Sequence, residues 1–249
     1  MSALIAHHDR MGTTAERLCR LDIFDRALRE ALGRWGVGAS EAQHHRFRAH
    51  FDAVVEANRT MNLTRITEPI EAAIKHYVDS LSLLLWVDEH RIDVETVLDI
   101  GTGAGLPAVP LAIMRPQWAI TAIDSTAKKV RFLAKAAETI GLTNLRMEHA
   151  HSAHWRPGAI RRAALPTFDV VVSRATARLP RYLEQAAKLA APGGWIIAYK
   201  TADVEPDEAE AAVGLLRRLR VSAEPRYPYN LELDGKRLRR ALYVYRKEP

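Results

Sequence analysis

The run Val97-Leu98-Asp99-Ile100-Gly101-Thr102-Gly103-Ala104-Gly105-Leu106-Pro107 constrains this chain more than any other segment. A short apolar stretch passes into three glycines at alternate positions, and a helical spacing of apolar residues follows. Glycine is required where a chain reverses tightly, or where a ligand must approach the backbone with no Cβ in the way. The expected unit is a buried strand, a tight turn and a helix. The spacing G-x-G-x-G is neither the G-x-G-x-x-G of dinucleotide-binding turns nor a phosphate loop, which ends in Gly-Lys-Ser/Thr, so no pyrophosphate need be cradled.

The rest of the chain extends this unit into an α/β fold. Candidate strands at 96–100, 119–123, 144–147, 168–172 and 195–199 alternate with helices at 106–115, 126–140 and 179–190. Such alternation means parallel strands joined by crossover helices. Pro116, Gly141 and Pro192-Gly193-Gly194 supply the helix stops. A further helix runs from about Glu205 to Arg220, and two β-like runs then flank Asp234-Gly235, a pair favoured in type I′ hairpins. The expected sheet is seven-stranded and mostly parallel, finished by this antiparallel hairpin. Upstream, Leu18, Leu21, Phe24, Leu28 and Leu32 share one helical face. Ser40 with Gln43 forms a capping box for a second helix carrying Phe47, Phe51, Val54 and Val55 inward. A loop from Asn58 to Thr67 precedes a third helix opening at Pro69 and passing through Ile74, Tyr77, Val78, Leu81 and Leu84. Residues 1–90 read as a helical extension, and 91–249 as the α/β domain.

Composition sets outer bounds. Lys and Arg number 36 against 30 Asp and Glu, a formal charge of +6 that favours acidic partners such as nucleic acid. Cys19 is the single cysteine, so an internal disulfide or a Cys-based zinc finger is impossible, and a reducing compartment, the cytoplasm, is expected. Apolar runs such as Leu83 to Val87 fall far short of the roughly 18 residues a membrane span needs, so no membrane is expected. The near-lying histidines, His149 with His151 and His154, and His44 with His45 and His50, do not make a convincing ligand set, and no metal is expected. Oligomeric state is open, with a monomer favoured.

Asp124 lies 19 residues past Gly105 and directly after the apolar run Ala119 to Ile123, at the carboxyl end of the second strand. A carboxylate there can accept hydrogen bonds from both hydroxyls of a ribose. Strand, glycine turn, helix, strand and terminal acid together describe the S-adenosylmethionine site of a class I, Rossmann-like methyltransferase. The plainer alternative is a tight turn with Asp124 capping the next helix. Three absences narrow the acceptor atom. Cys19 lies far from the fourth strand, which removes the nucleophile that pyrimidine C5 methylation needs. That strand ends in Ser173-Arg174-Ala175 rather than an Asn-Pro-Pro-Tyr-like motif, and no acid follows Val172 to activate a ribose hydroxyl. Guanine N7 carries a free lone pair, so in-line transfer to it removes no proton and asks only for positioning and electrostatics. Arg174 then orients cofactor or acceptor, or else pairs with a structural carboxylate such as Asp79 or Asp169.

Several segments occur in a telling order: Asn62-Leu63-Thr64, His76 with Asp79-Ser80, Gly101 to Pro107, Asp124-Ser125 with Lys128, Lys129, Arg131, Phe132 and Leu133, Ser173-Arg174-Ala175, and Pro192-Gly193-Gly194 with Lys200. Through them the chain resembles, over about residues 58–247, the glucose-inhibited division protein B (GidB or RsmG) family. These are bacterial methyltransferases of guanosine N7 in the decoding region of 16S ribosomal RNA. The resemblance implies S-adenosylmethionine as cofactor and 16S rRNA in the small ribosomal subunit as partner. It implies cofactor contacts at Gly101, Gly103, Gly105, Leu106, Ser152, Ala153 and Arg174, with Asp124 near the ribose. On the RNA side it implies Asn62, His76, Lys128, Lys129, Arg131 and Lys200, the plainer readings being a turn residue for Asn62 and a helix-surface residue for His76. Two departures stand out: His151-Ser152-Ala153 where the family commonly has Arg-Ala-Glu, and Thr201 where it commonly has glycine. A methyltransferase with a different acceptor, and an RNA-binding or assembly module with a degenerate cofactor pocket, stay open on the residues alone. A dehydrogenase is disfavoured by the glycine spacing.

Overall fold

Apolar residues at consecutive strand positions give the sheet two buried faces, because neighbouring side chains on a strand point to opposite sides. In the computed structural model, which describes residues 13–150, 167–174 and 178–249, Val97, Val170, Val172 and Ile197 face one core. Their neighbours Leu98, Val171, Ile196 and Ala198 face a second. The strands are β1 (Thr96–Ile100), β2 (Ala119–Asp124), β3 (Leu145–His149), β4 (Phe168–Arg174), β5 (Ala190–Thr201), β6 (Val221–Ala223), β7 (Tyr227–Leu233) and β8 (Lys236–Lys247). Their order is β3-β2-β1-β4-β5-β8-β6, with β7 also on β8. The first five are parallel, and β8 runs antiparallel to β5, β6 and β7.

The expected seven-stranded sheet thus has seven positions and eight strands. β6 and β7 both lie along the far edge of β8, interrupted near Pro225, which has no N–H to give the ladder. The hairpin turns at Asp234 and Gly235, whose φ values of 51° and 70° suit a type I′ turn.

The crossover helices are α5 (Ala108–Met114), α6 (Ala127–Thr139), α7 (Leu179–Ala186) and α8 (Pro206–Leu219). α7 ends four residues before the expected Ala190, because that residue already begins β5 and pairs with Phe168. Pro192-Gly193-Gly194 is therefore not a helix stop but an irregularity inside β5, between the Phe168↔Ala190 and Val170↔Trp195 pairs.

The extension comprises α1 (Thr14–Arg34), α2 (Glu41–Met61), and a helix assembled from α3 (Pro69–Ala72), a π-helical stretch (Ala73–Val78) and α4 (Asp79–His90). The expected capping box of Ser40 with Gln43 forms, and the structure adds a second, Thr13 with Glu16, at the start of α1. α2 continues through Asn58 to Met61, residues expected in the loop, and stops where Asn62 turns left-handed at φ 49°. Phe24 of α1 stacks on Phe51 of α2 with centroids 4.3 Å apart, and Tyr77 meets Phe24 edge-on at 4.8 Å. These rings belong to the same continuous core as Val97, Ile120, Val170 and Leu242 of the sheet, so the extension and the sheet share one apolar interior.

Candidate active site

The glycine turn sits at the carboxyl ends of β1 and β2, where ligands bind in open parallel sheets. Gly101, Gly103 and Gly105 have φ values of 74°, 59° and 87°, a region side chains rarely adopt. The N–H groups of Gly101 and Thr102 donate to the Ile123 carbonyl at 2.8 and 3.1 Å, pinning the turn to β2. Asp124 closes it: Oδ2 accepts the Gly103 N–H at 3.0 Å and Oδ1 accepts the Thr126 N–H at 2.8 Å. Asp124 therefore braces the turn and the start of α6, and each oxygen keeps a further lone pair for a ribose hydroxyl.

Gly103 and Gly105 do different work. A Cβ on Gly103 would meet nothing closer than the Gly101 carbonyl at 3.9 Å, so that side is open to a ligand. A Cβ on Gly105 would lie 2.7 Å from Val109 Cγ2 and 2.9 Å from Leu133 Cδ2. Gly105 is thus a packing glycine on the side its Cβ would take, where α5 and α6 press on it. The Leu106 side chain is buried in a cluster with Val54, Leu63 and Ala104, and its N–H donates to the Thr102 carbonyl at 3.0 Å. Ser152 and Ala153 lie outside the described residues.

A fit for a cationic, hydroxyl-bearing ligand is visible in two orphaned atoms beside the turn. Asp99 Oδ1 and Thr102 Oγ1 are buried without hydrogen-bond partners, although Asp99 Oδ2 accepts the Ala108 N–H at 3.2 Å. Burial pushes the Asp99 carboxyl up from 3.8 to about 7. The folded chain accordingly keeps a proton that the unfolded chain has lost, and the stability held by the neutral acid is full below about pH 4 and lost as pH rises through 7. Asp99→Asn, neutral at every pH, is expected to melt higher than wild type near pH 8, where the ionised acid costs ~4 kcal/mol. Near pH 4 the two should converge; equal melting temperatures near pH 8 would contradict this reading.

Arg174 ends β4 and reaches into the extension. Its Nη1 donates to the Lys75 carbonyl at 2.6 Å and to Asp79 Oδ2 at 3.2 Å, and its Nη2 donates to His76 Nδ1 at 3.0 Å. Asp79 also accepts from Tyr229 Oη at 2.7 Å and from Arg240 Nε and Nη2 at 3.1 Å each. Of the two carboxylates that could have taken Arg174, the structure selects Asp79; Asp169 instead accepts from the Thr96 N–H and hydroxyl, both at 2.8 Å. Arg174 is therefore a link between strand end and extension, which corrects the picture of a guanidinium free to grip cofactor or base.

His76 is corrected likewise. It is buried rather than on an RNA-facing surface, and burial together with Arg174 lowers it to about 3, so the ring is neutral. A guanidinium can only donate, so His76 Nδ1 is the acceptor and Nε2–H donates to Thr64 Oγ1 at 2.8 Å. Asn62 is exposed but serves as the left-handed C-cap of α2, the plainer reading. Lys200 Nζ donates to Glu208 Oε1 at 2.9 Å, which ties it to α8 instead of leaving it for RNA. Lys128 and Arg131 are exposed and Lys129 half-buried on α6, with Lys128 Nζ 3.4 Å from the Thr60 carbonyl. Sequence reasoning missed Tyr229 and Arg240, which nothing local distinguishes from other hairpin residues.

A groove on the extension is lined by Arg17, Arg20, Arg29, Arg48 and Arg59 of α1 and α2 and holds no glycine-turn residue. Those arginines pair with Asp52, Asp25, Glu41, Asp22 and Glu56. Among the described residues no three His, Cys, Asp or Glu side chains group to hold a metal, and no helix is long and apolar enough to cross a membrane.

Sheet order, glycine turn and terminal acid define a class I, S-adenosylmethionine-dependent methyltransferase. The chain belongs to the GidB family, rRNA small subunit methyltransferase G, whose model matches residues 43–221. It is 39% identical over 182 residues to the ribosomal RNA small subunit methyltransferase G of an Exiguobacterium species, covering 73% of this chain and 74% of that one. It is 34% identical over 221 residues to the protein of the same name from Halalkalibacterium halodurans, covering 89% and 90%. A solved structure described as "Conversion of a Disulfide Bond into a Thioacetal Group during Echinomycin Biosynthesis" shares the fold, with a TM-score of 0.50 and 15% identity over 67% of this chain and 81% of that one.

Proposed function

We propose that this chain moves the methyl group of S-adenosylmethionine to N7 of a guanosine in the decoding region of 16S rRNA. The observation that carries the reading is the G-x-G-x-G turn closed on Asp124, inside a chain matched by the rRNA methyltransferase model over residues 43–221. When bound, the cofactor supplies an electrophilic methyl group on a sulfonium. The open side of Gly103 admits it, Asp124 takes the ribose hydroxyls on its remaining lone pairs, and Asp99 Oδ1 with Thr102 Oγ1 offers acceptors for its ammonium. Leu106, Ser152 and Ala153 complete the contacts.

No proton need leave guanine N7, so no side chain need act as a base. This agrees with His76, whose Nδ1 is already taken by Arg174. Arg174 is a positioning residue: through Asp79 and His76 it holds the extension against the strand end where the acceptor base arrives. Lys128, Lys129 and Arg131 present charge to phosphates, so RNA affinity should fall with salt. A cytoplasmic monomer meeting the small subunit goes with this reading.

Methyl transfer from labelled S-adenosylmethionine to small subunits from a strain lacking this protein, followed by mapping of 7-methylguanosine, tests it. Label at one guanosine of the decoding region is expected. Folded protein that binds the cofactor but leaves subunits and naked 16S RNA unlabelled would refute the acceptor.

A further inference from the structure

A chain of hydrogen bonds runs from the end of β4 to the loop after α2, and its direction is fixed. The Arg174 guanidinium only donates, so His76 Nδ1 accepts at 3.0 Å. The ring is neutral, so its one proton sits on Nε2, which donates to Thr64 Oγ1 at 2.8 Å. The Ile66 N–H donates to the same oxygen at 3.0 Å. A hydroxyl has two lone pairs and one hydrogen, and both lone pairs of Thr64 Oγ1 are thereby occupied. Its O–H is left as a donor, and among the described residues none accepts from it.

Thr64 is also held in place. Its N–H donates to Asn58 Oδ1 at 2.8 Å, and Leu63 before it is buried in the apolar cluster of Ala104 and Leu106 on the glycine turn. Thr64 thus joins the glycine turn on one side and, through His76, the end of β4 on the other. In open parallel sheets ligands lie beyond the carboxyl ends of the strands, among such elements. Thr64 itself is half-buried, so a base can reach its hydroxyl.

Guanine presents two acceptors side by side on one edge, N7 and O6, whereas adenine presents N7 beside an N6 amino donor. A group that gripped this edge at N7 would block the atom to be methylated. A single donor at O6 holds the base, leaves the N7 lone pair free, and opposes the adenine amino group donor to donor. We propose that Thr64 is a specificity-determining residue: its O–H, left free by the Arg174–His76 chain, donates to O6 of the acceptor guanine and leaves N7 facing the methyl group. The inference rests on the guanosine N7 reading above and adds which group of the chain recognises the base.

The test is single-turnover methyl transfer by the full chain to small subunits reconstituted with guanosine or 2-aminopurine at the methylated position. 2-Aminopurine keeps N7 and carries hydrogen in place of O6. Wild type is expected to transfer about five- to tenfold more slowly to 2-aminopurine, roughly the loss of one hydrogen bond. Thr64→Val should slow transfer to guanosine about as much and slow transfer to 2-aminopurine no further, because hydroxyl and O6 act as one pair. Thr64→Ser, which keeps the hydroxyl, should restore the guanosine rate, and calorimetry with S-adenosylhomocysteine should give unchanged affinity for both variants. Losses that multiply, or a loss of S-adenosylhomocysteine affinity in Thr64→Val, would show a hydroxyl that serves only the fold, and overturn the proposal. Should Thr64→Val not fold, wild type that labels 2-aminopurine as fast as guanosine overturns it with no variant. Wild type that binds S-adenosylhomocysteine and leaves the guanosine subunits unlabelled refutes the N7 reading itself, and this inference with it.

Discussion

Asp79→Ala is expected to remove about 3–5 kcal/mol of stability, the usual consequence of taking one partner out of a buried ion pair. Asp79 is the common acceptor for Arg174, Arg240 and Tyr229, and its side chain is 2% exposed, against 12% for Arg174 and 21% for Arg240. Deleting it leaves two guanidinium groups and a hydroxyl facing each other with no carboxylate between them. For a chain of this size the melting temperature should fall by roughly 10 °C. Asp79→Asn keeps one acceptor oxygen and should fall less. Replacing Arg240 by methionine in the Asp79→Ala background should recover part of the loss, because one of the stranded charges is gone. A melting temperature for Asp79→Ala within 2 °C of wild type would show that water replaces the carboxylate at no cost.

The second large effect separates two glycines that look alike in sequence. Gly105→Ala forces a Cβ to 2.7 Å from Val109 Cγ2 and 2.9 Å from Leu133 Cδ2 at a φ of 87°. Overpacking costs ~1–3 kcal/mol and the left-handed backbone ~1–2 kcal/mol, so a loss of about 2–5 kcal/mol is expected. Gly103→Ala carries only the backbone penalty, its Cβ entering open space. That space is where the cofactor is proposed to lie, so Gly103→Ala should lose only about 1–2 kcal/mol of stability, less than Gly105→Ala, and bind S-adenosylhomocysteine poorly. Thermal melts and calorimetry on both variants decide the matter. If Gly103→Ala kept full affinity, the ligand would not approach the turn from that side.

Much of the fold was legible because its determinants are local. The capping box at Ser40, β-branched runs, and Asp234-Gly235 each act within a few residues. The misread boundaries have equally plain causes. Pro192-Gly193-Gly194 looks like a helix stop, yet pairing with β4 had already drawn Ala190 into a strand. His76 looks like a helix-surface residue until the π-helical stretch and Arg174 bury it.

The sequence by itself determined the class of fold, the glycine turn and the acid that closes it, since their spacing along a βα unit leaves almost one way to assemble them. Tertiary structure alone decided what each charged group does. The bonds that assign Arg174 and Arg240 to Asp79 join residues 95 and 161 positions apart, and no local pattern carries that pairing. The division of the glycines into an open Gly103 and a packed Gly105, and the neutral state of His76, follow from which helices press on them. Burial and partner geometry, which set both the space beside an atom and the cost of its charge, exist only once the extension has closed on the sheet.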